Sequence, residues 1–232
     1  MTEPLPHAVL FDLFHTLVRV PSAESIGETP VPELLGVPAD EWYRRFYDED
    51  VSGRCIGRVE ACDAMRRVTH SMDPAVPEER IRAAVESRRR CFGIGLVEIE
   101  PETLSALDRL RAAGVRIGLV SDAAADDVET WAQSPLRSRF DVVVFSYEVG
   151  VRKPDRRIFE FALDALAVAA RDAIFVGDGG SDEHRGARAV GLRTVFVTRL
   201  VGYSRPELIE ARRGGADREF ADVAAFVTAL GL

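Results

Sequence analysis

An α/β fold built on a doubly wound, Rossmann-like parallel sheet is what this sequence predicts, and three observations carry the prediction. Five short apolar runs are continuous rather than alternating, as strands buried on both faces must be. Helical stretches separate the last four of them. Most of the runs end in a small or acidic residue, at the sheet edge where open parallel sheets hold their ligands. A length of 232 residues suits one such sheet with a modest insert.

The strands are expected at 7–12 (HAVLFD), 115–122 (VRIGLVSD), 141–146 (DVVVFS), 173–178 (AIFVGD) and 193–198 (RTVFVT). A helix over 101–113 sets Leu104, Leu107 and Leu110 on one stripe, and Gly114 supplies its C-cap. A second over 155–168 repeats Ile158, Phe159, Ala162, Leu163 and Leu166 behind Pro154. Two closing helices are expected at 206–213 and 217–230, parted by Gly214 and Gly215. Residues 19–96 break this rhythm. They hold no convincing strand, but do hold helical stripes: Trp42 and Phe46; Cys62, Met65, Thr69 and Met72; Ile81, Ala84, Val85 and Phe92. The Pro-rich stretch 21–38 and the pair Gly93/Gly95 bracket them as hinges would. The expected organisation is a core domain of 1–18 and 97–232, with a helical domain, 19–96, inserted.

Composition narrows the function. No run approaches the ~18 apolar residues of a membrane span. The N-terminus shows no basic region ahead of an apolar stretch, so no signal peptide is read. A net charge of −8 has the wrong sign for a phosphate-backbone binder, which disfavours nucleic acid as a partner. Cys55, Cys62 and Cys91 form an odd set without metal spacing, which suits reduced thiols and a cytoplasmic location. Lys153 is the only lysine among thirty basic residues.

The strand ends gather Asp12 and Thr16, then Ser121 and Asp122, then Lys153, then Asp178 with Asp182 and Glu183. Carboxylate oxygens suit a hard divalent cation, and an ammonium with helix N-terminal amides suits a phosphate. Singly, each has a plainer reading: Ser121 as a helix N-cap, Lys153 as a solvated charge. Their recurrence at successive strand ends is what points to a site.

In order along the chain, FDLFHTL at 11–17, LVSDA at 119–123, SYEVGVRKPDRRIFEFAL at 146–163 and FVGDGGSDEHRGARAVG at 175–191 resemble the four motifs of the haloacid dehalogenase-like (HAD) hydrolase superfamily. The helical insert resembles that superfamily's C1 cap. The resemblance implies a Mg2+-dependent phosphatase acting on a small phosphorylated metabolite, as a monomer or homodimer. It casts Asp12 as the nucleophile that forms an aspartyl-phosphate. Ser121 and the amide of Asp122 match donors to the phosphate oxygens, and Lys153 matches the cation that shields Asp12 and the phosphoryl group. Asp12, Asp178 and the backbone carbonyl of Phe14 match metal ligands. Asp182 and Glu183 both stand at spacings the family uses for a further metal-site carboxylate, and Asp182 is preferred.

One position departs from the pattern. The family's phosphatases usually carry a second aspartate, a general acid and base, where this chain has Phe14. Three readings follow: a phosphatase with an easy leaving group or with His15 as the acid; a metal-independent 2-haloacid dehalogenase, whose halide leaves without a proton; or a binding protein of this fold with little turnover. Of the cap arginines, Arg44, Arg45, Arg54 and Arg58 are candidates for a second substrate anion, against the plainer reading that they solvate helix faces. The run Arg88-Arg89-Arg90 is expected to be a solvated helix end. Trp42 and Tyr43 are expected either at the seam between insert and core or lining the pocket.

Overall fold

The computed structural model describes residues 4–49 and 51–232. Six strands make one parallel sheet: β1 (Ala8–Phe11), β2 (Arg116–Ser121), β3 (Val142–Phe145), β4 (Ala173–Gly177), β5 (Arg193–Val197) and β6 (Arg218–Phe220), in the order β3-β2-β1-β4-β5-β6. The order reverses at β1, which lies between β2 and β4, so the ligand crevice of a doubly wound sheet falls at its carboxyl end. The register aligns Phe11 with Leu119 on one side and with Val176 on the other. Asp12, Ser121 and Asp178 therefore leave the sheet at nearly one level.

Both sheet faces are covered, which is why the strands read as unbroken apolar runs. Val9 and Phe11 face a core shared with Leu107, Leu110 and Phe226. Ala8 and Leu10 face the opposite one, with Ile158, Phe159 and Leu163. Between β1 and β2 the chain is helical: α1 (Val31–Leu35), α2 (Ala39–Tyr43), a π-helical continuation (Arg44–Glu49), α3 (Val51–Cys55), α4 (Ala61–His70), α5 (Glu78–Val97) and α6 (Pro101–Ala112). The later helices are α7 (Ser146–Val149), α8 (Arg156–Leu166), α9 (Glu183–Ala189), α10 (Arg199–Ser204), α11 (Glu207–Arg212) and α12 (Val223–Ala229). The inserted helices have a core of their own, where Trp42 stacks on Phe46 at 4.6 Å beside Met65, Ile81 and Val85. Among the described residues no helix is long and apolar enough to cross a membrane.

Two expectations are corrected. The stretch 217–230 is not one helix. The Asp217 carboxylate accepts hydrogen bonds from the Thr194 amide and hydroxyl at 2.7 and 2.9 Å, which draws the chain alongside β5 as β6. The helix starts only after Asp222, whose carboxylate caps the Ala225 amide at 2.8 Å. Nor are Gly93 and Gly95 hinges, since both lie inside α5. A Cβ on Gly95 would stand 2.8 Å from the Arg19 carbonyl oxygen, so this glycine lets the helix press against the chain leaving the sheet.

Candidate active site

The turn after β1 is closed by the Leu17 and Val18 amides, both donating to the Leu13 carbonyl at 2.9 Å, with His15 in the left-handed region at φ 63°. This folding-back brings the Thr16 hydroxyl 2.8 Å from Asp12 Oδ2. On its other oxygen, Asp12 accepts from Lys153 Nζ at 2.5 Å, and the same ammonium donates to Glu183 Oε2 at 2.5 Å. All three charged groups are buried. The loop carrying Lys153 is held by Asp122, whose Oδ1 accepts from the Lys153 amide at 2.9 Å. The Lys153–Pro154 peptide is cis.

The loop after β4 is built on unusual backbone. Gly179, Ser181 and Asp182 all have positive φ, and for the latter two this is a strained state. Two short bonds repay part of that strain. The Gly179 amide donates to Glu183 Oε1 at 2.8 Å, and the Gly180 amide to Asp178 Oδ1 at 2.9 Å. Gly177 leaves room for the Glu183 carboxylate, because a Cβ there would lie 2.1 Å from Oε1. Asp178 also receives Arg212 from α11. The guanidinium donates to the Asp178 carbonyl at 2.9 Å and to its Oδ2.

Carboxylate oxygens of Asp12, Asp178 and Glu183 all lie within 4.8 Å of one another. Burial, with the neighbouring charge of Asp178, lifts Asp12 above the usual aspartate range against the pull of Lys153. Burial does the same to Glu183 more strongly, helped by the charges of Asp12 and Asp178. Burial alone would depress the Lys153 ammonium, but the Asp12 and Glu183 carboxylates overcome it and hold the cation above its ordinary range. Buried carboxylates gathered this closely are ready for a further positive charge. The Ser121 hydroxyl, fully buried, has no hydrogen-bond partner among the described residues. Leaving such a group unsatisfied costs roughly 1–3 kcal/mol, which marks it as a donor awaiting a ligand.

The structure thus brings together Asp12, Thr16, Lys153, Asp178 and Glu183, with Ser121 on the neighbouring strand β2. It does not bring in Asp182, and the preference for that residue is reversed. Its side chain is 71% exposed and pairs with Arg185 at 3.0 Å, because the left-handed turn at 181–182 points it outward and Glu183 inward. Arg54 is not a solvated or substrate-facing group. It is buried, pairing with Asp126 at 3.3 Å and Asp127 at 2.9 Å. Arg88 is likewise no solvated helix end, since it is buried over the Phe92 ring and bonded to Asp127. Arg45 pairs with Glu41 at 2.6 Å, and Arg58 is exposed. Trp42, Tyr43, Tyr47 and Phe92 line a recess within the inserted helices, and none of the site's charged residues borders it. Phe14 is half-buried, its ring edge-on to Phe92 at 4.9 Å. Arg212 escaped the sequence reading for want of any signal: it is one arginine of many, thirty-four residues from its partner.

Comparison with known proteins gives the chain a family context. The family model described as haloacid dehalogenase-like hydrolase matches residues 6–191. A phosphoserine phosphatase of Thermus thermophilus is 34% identical over 147 residues, 63% of this chain and 57% of that protein. The chain thus spans little more than half the length of this relative. The (S)-2-haloacid dehalogenase H-109 of Pseudomonas putida is 24% identical over 82% of this chain and 85% of its own. Among solved structures, CbbY from Rhodobacter sphaeroides in complex with phosphate shares the fold at a TM-score of 0.66 and 23% identity, over 98% of this chain and all of that one.

Proposed function

The chain belongs to the haloacid dehalogenase-like hydrolases, and we propose that it is a Mg2+-dependent phosphatase that removes phosphate from a small phosphorylated metabolite. The observation that carries this reading is the pairing of three buried carboxylates within 4.8 Å of one another with an unsatisfied, buried serine hydroxyl on the next strand. The first set suits a hard divalent ion and the second a phosphoryl oxygen. Asp12, Asp178, Glu183 and the Phe14 carbonyl would hold the ion, which would screen the charge of nucleophile and substrate from each other.

The protein's own groups do the rest. Lys153 and the Thr16 hydroxyl each fix one oxygen of Asp12, leaving the carboxylate oriented. Asp12 attacks phosphorus, an aspartyl-phosphate forms, and the bond from phosphorus to the leaving oxygen breaks. Ser121 and the Asp122 amide receive the phosphoryl oxygens, and Lys153 balances their charge. Water then attacks the phosphorus, releasing phosphate and restoring Asp12. Residues 19–96 serve as the C1 cap over this crevice and exclude bulk water. The phosphatase relative acts on phosphoserine, a small phosphomonoester, which supports the substrate class. A cytoplasmic enzyme, monomeric or homodimeric, fits this reading.

The test is hydrolysis of p-nitrophenyl phosphate with Mg2+, with chelator, and with Asp12→Asn. Activity is expected only for the wild type with Mg2+. Turnover that ignores the chelator, or survives in the variant, would refute the mechanism. Phe14 and the dehalogenase relative favour a second reading, hydrolysis of a carbon–halogen bond. Halide released from a 2-haloacid in metal-free buffer would establish it in place of the first.

A further inference from the structure

Arg212 is a charged group at the site that neither the motifs nor the mechanism uses. It comes from the last turn of α11, beyond β5, and reaches across to the loop after β4. Its stem lies flat on that loop, so that a Cβ on Gly179 would stand 3.2–3.4 Å from Arg212 Cβ, Cγ and Cδ. Its head donates to the Asp178 carbonyl and to Oδ2, and only a fifth of the side chain is exposed.

The contact is not needed to aim Asp178. That carboxylate is already oriented through Oδ1 by the Gly180 amide at 2.9 Å, a bond internal to the loop. What Arg212 adds is charge. Of the three clustered carboxylates, Asp12 and Glu183 share Lys153, while Asp178 has Arg212 to itself. A cation ligated by Asp178 must share Oδ2 with the guanidinium or take Oδ1 from the backbone, and in either case it meets a like charge on the same carboxylate.

We propose that Arg212 is a built-in competitor for the divalent cation, one that acts through Asp178 and weakens metal binding at this site. The proposal rests on the metal reading given under Proposed function.

The experiment is calorimetric titration of Mg2+ and, separately, Mn2+ into wild type, Arg212→Gln and Arg212→Lys. Gln keeps much of the stem over Gly179 and removes the charge. Lys keeps the charge but cannot span carbonyl and carboxylate with a planar fork. Arg212→Gln is expected to bind both ions about tenfold or more tightly, as loss of a charge-assisted contact to the competing group implies. Arg212→Lys should fall between the two. Should Arg212→Gln not fold, Arg212→Met removes the charge with a longer apolar stem and takes its place. Unchanged or weaker binding in the uncharged variant, with the wild type binding normally, overturns the competitor role alone. If no form binds either ion, the metal reading itself falls and this role falls with it.

Discussion

Phe14 stands where a proton donor would help most, two residues beyond the Asp12 carboxylate, and offers only a half-buried ring packed on Phe92. Positioned acid–base groups contribute about 10²–10⁴-fold to such reactions. Substrates whose leaving oxygen needs little protonation, such as aryl and acyl phosphates, are therefore expected to outpace alkyl phosphates by that order in kcat/KM. Phe14→Asp should narrow the gap chiefly by raising the alkyl rate, and steady-state kinetics on matched ester pairs check it. Equal rates in the wild type would reveal another donor. At this scale much of the site was legible in advance: Asp12, Ser121 and Asp178 stand at strand ends, while Lys153, eight residues beyond β3, was legible through the motif it resembles. What was not legible depended on backbone handedness. Asp182 and Glu183 are adjacent carboxylates, and only the positive φ of Ser181 and Asp182 decides which one faces the lysine.

Helix α5 is twenty residues long and contains two glycines, each of which costs roughly 1 kcal/mol of helix propensity relative to alanine. From sequence the pair suggested a hinge, because glycine punctuation is ambiguous between a break and a close approach. The structure gives the second meaning, with Arg19 O against Gly95. Gly95→Ala is thus expected to destabilise the protein by about 1–3 kcal/mol, the usual cost of overpacking, despite the better helix former. Gly114→Ala would be a poor control, since its φ of 78° penalises any side chain. Urea unfolding of Gly95→Ala against wild type measures the effect, and a gain in stability would contradict the close-approach reading. Elements read from apolar runs were legible, as the first five strands show. β6 was not, because Arg218–Phe220 carries no apolar run and is brought alongside β5 by the bonds that Asp217 makes with Thr194.

Across the whole molecule, the inserted helices are joined to the sheet by a buried knot of charge in which Arg54 and Arg88 face Asp126 and Asp127. Burial would raise the Asp127 carboxyl, but the two guanidiniums outweigh it and hold the group down at about 2. An acid whose folded pKa is depressed adds stability above its unfolded pKa and forfeits it as pH falls toward the folded value. The contribution should therefore persist at neutral pH and fade between about 4 and 2. Asp127→Ala, which leaves two arginines short of a buried partner, is expected to cost about 3–5 kcal/mol at pH 7. Melting curves of wild type and variant at pH 7 and pH 2.5 should converge at the lower value, and a constant difference would contradict the assignment. Sequence could not reveal this knot, since its paired members lie 38 to 73 positions apart among many arginines that do solvate helices. The strand order has its own consequence. β1 is made first, yet it sits between β2 and β4, whose last residue is Gly177. A polypeptide growing on the ribosome must carry this apolar strand with at most one lateral partner until β4 has been made. Such a segment is a natural client for chaperones until the late strands emerge.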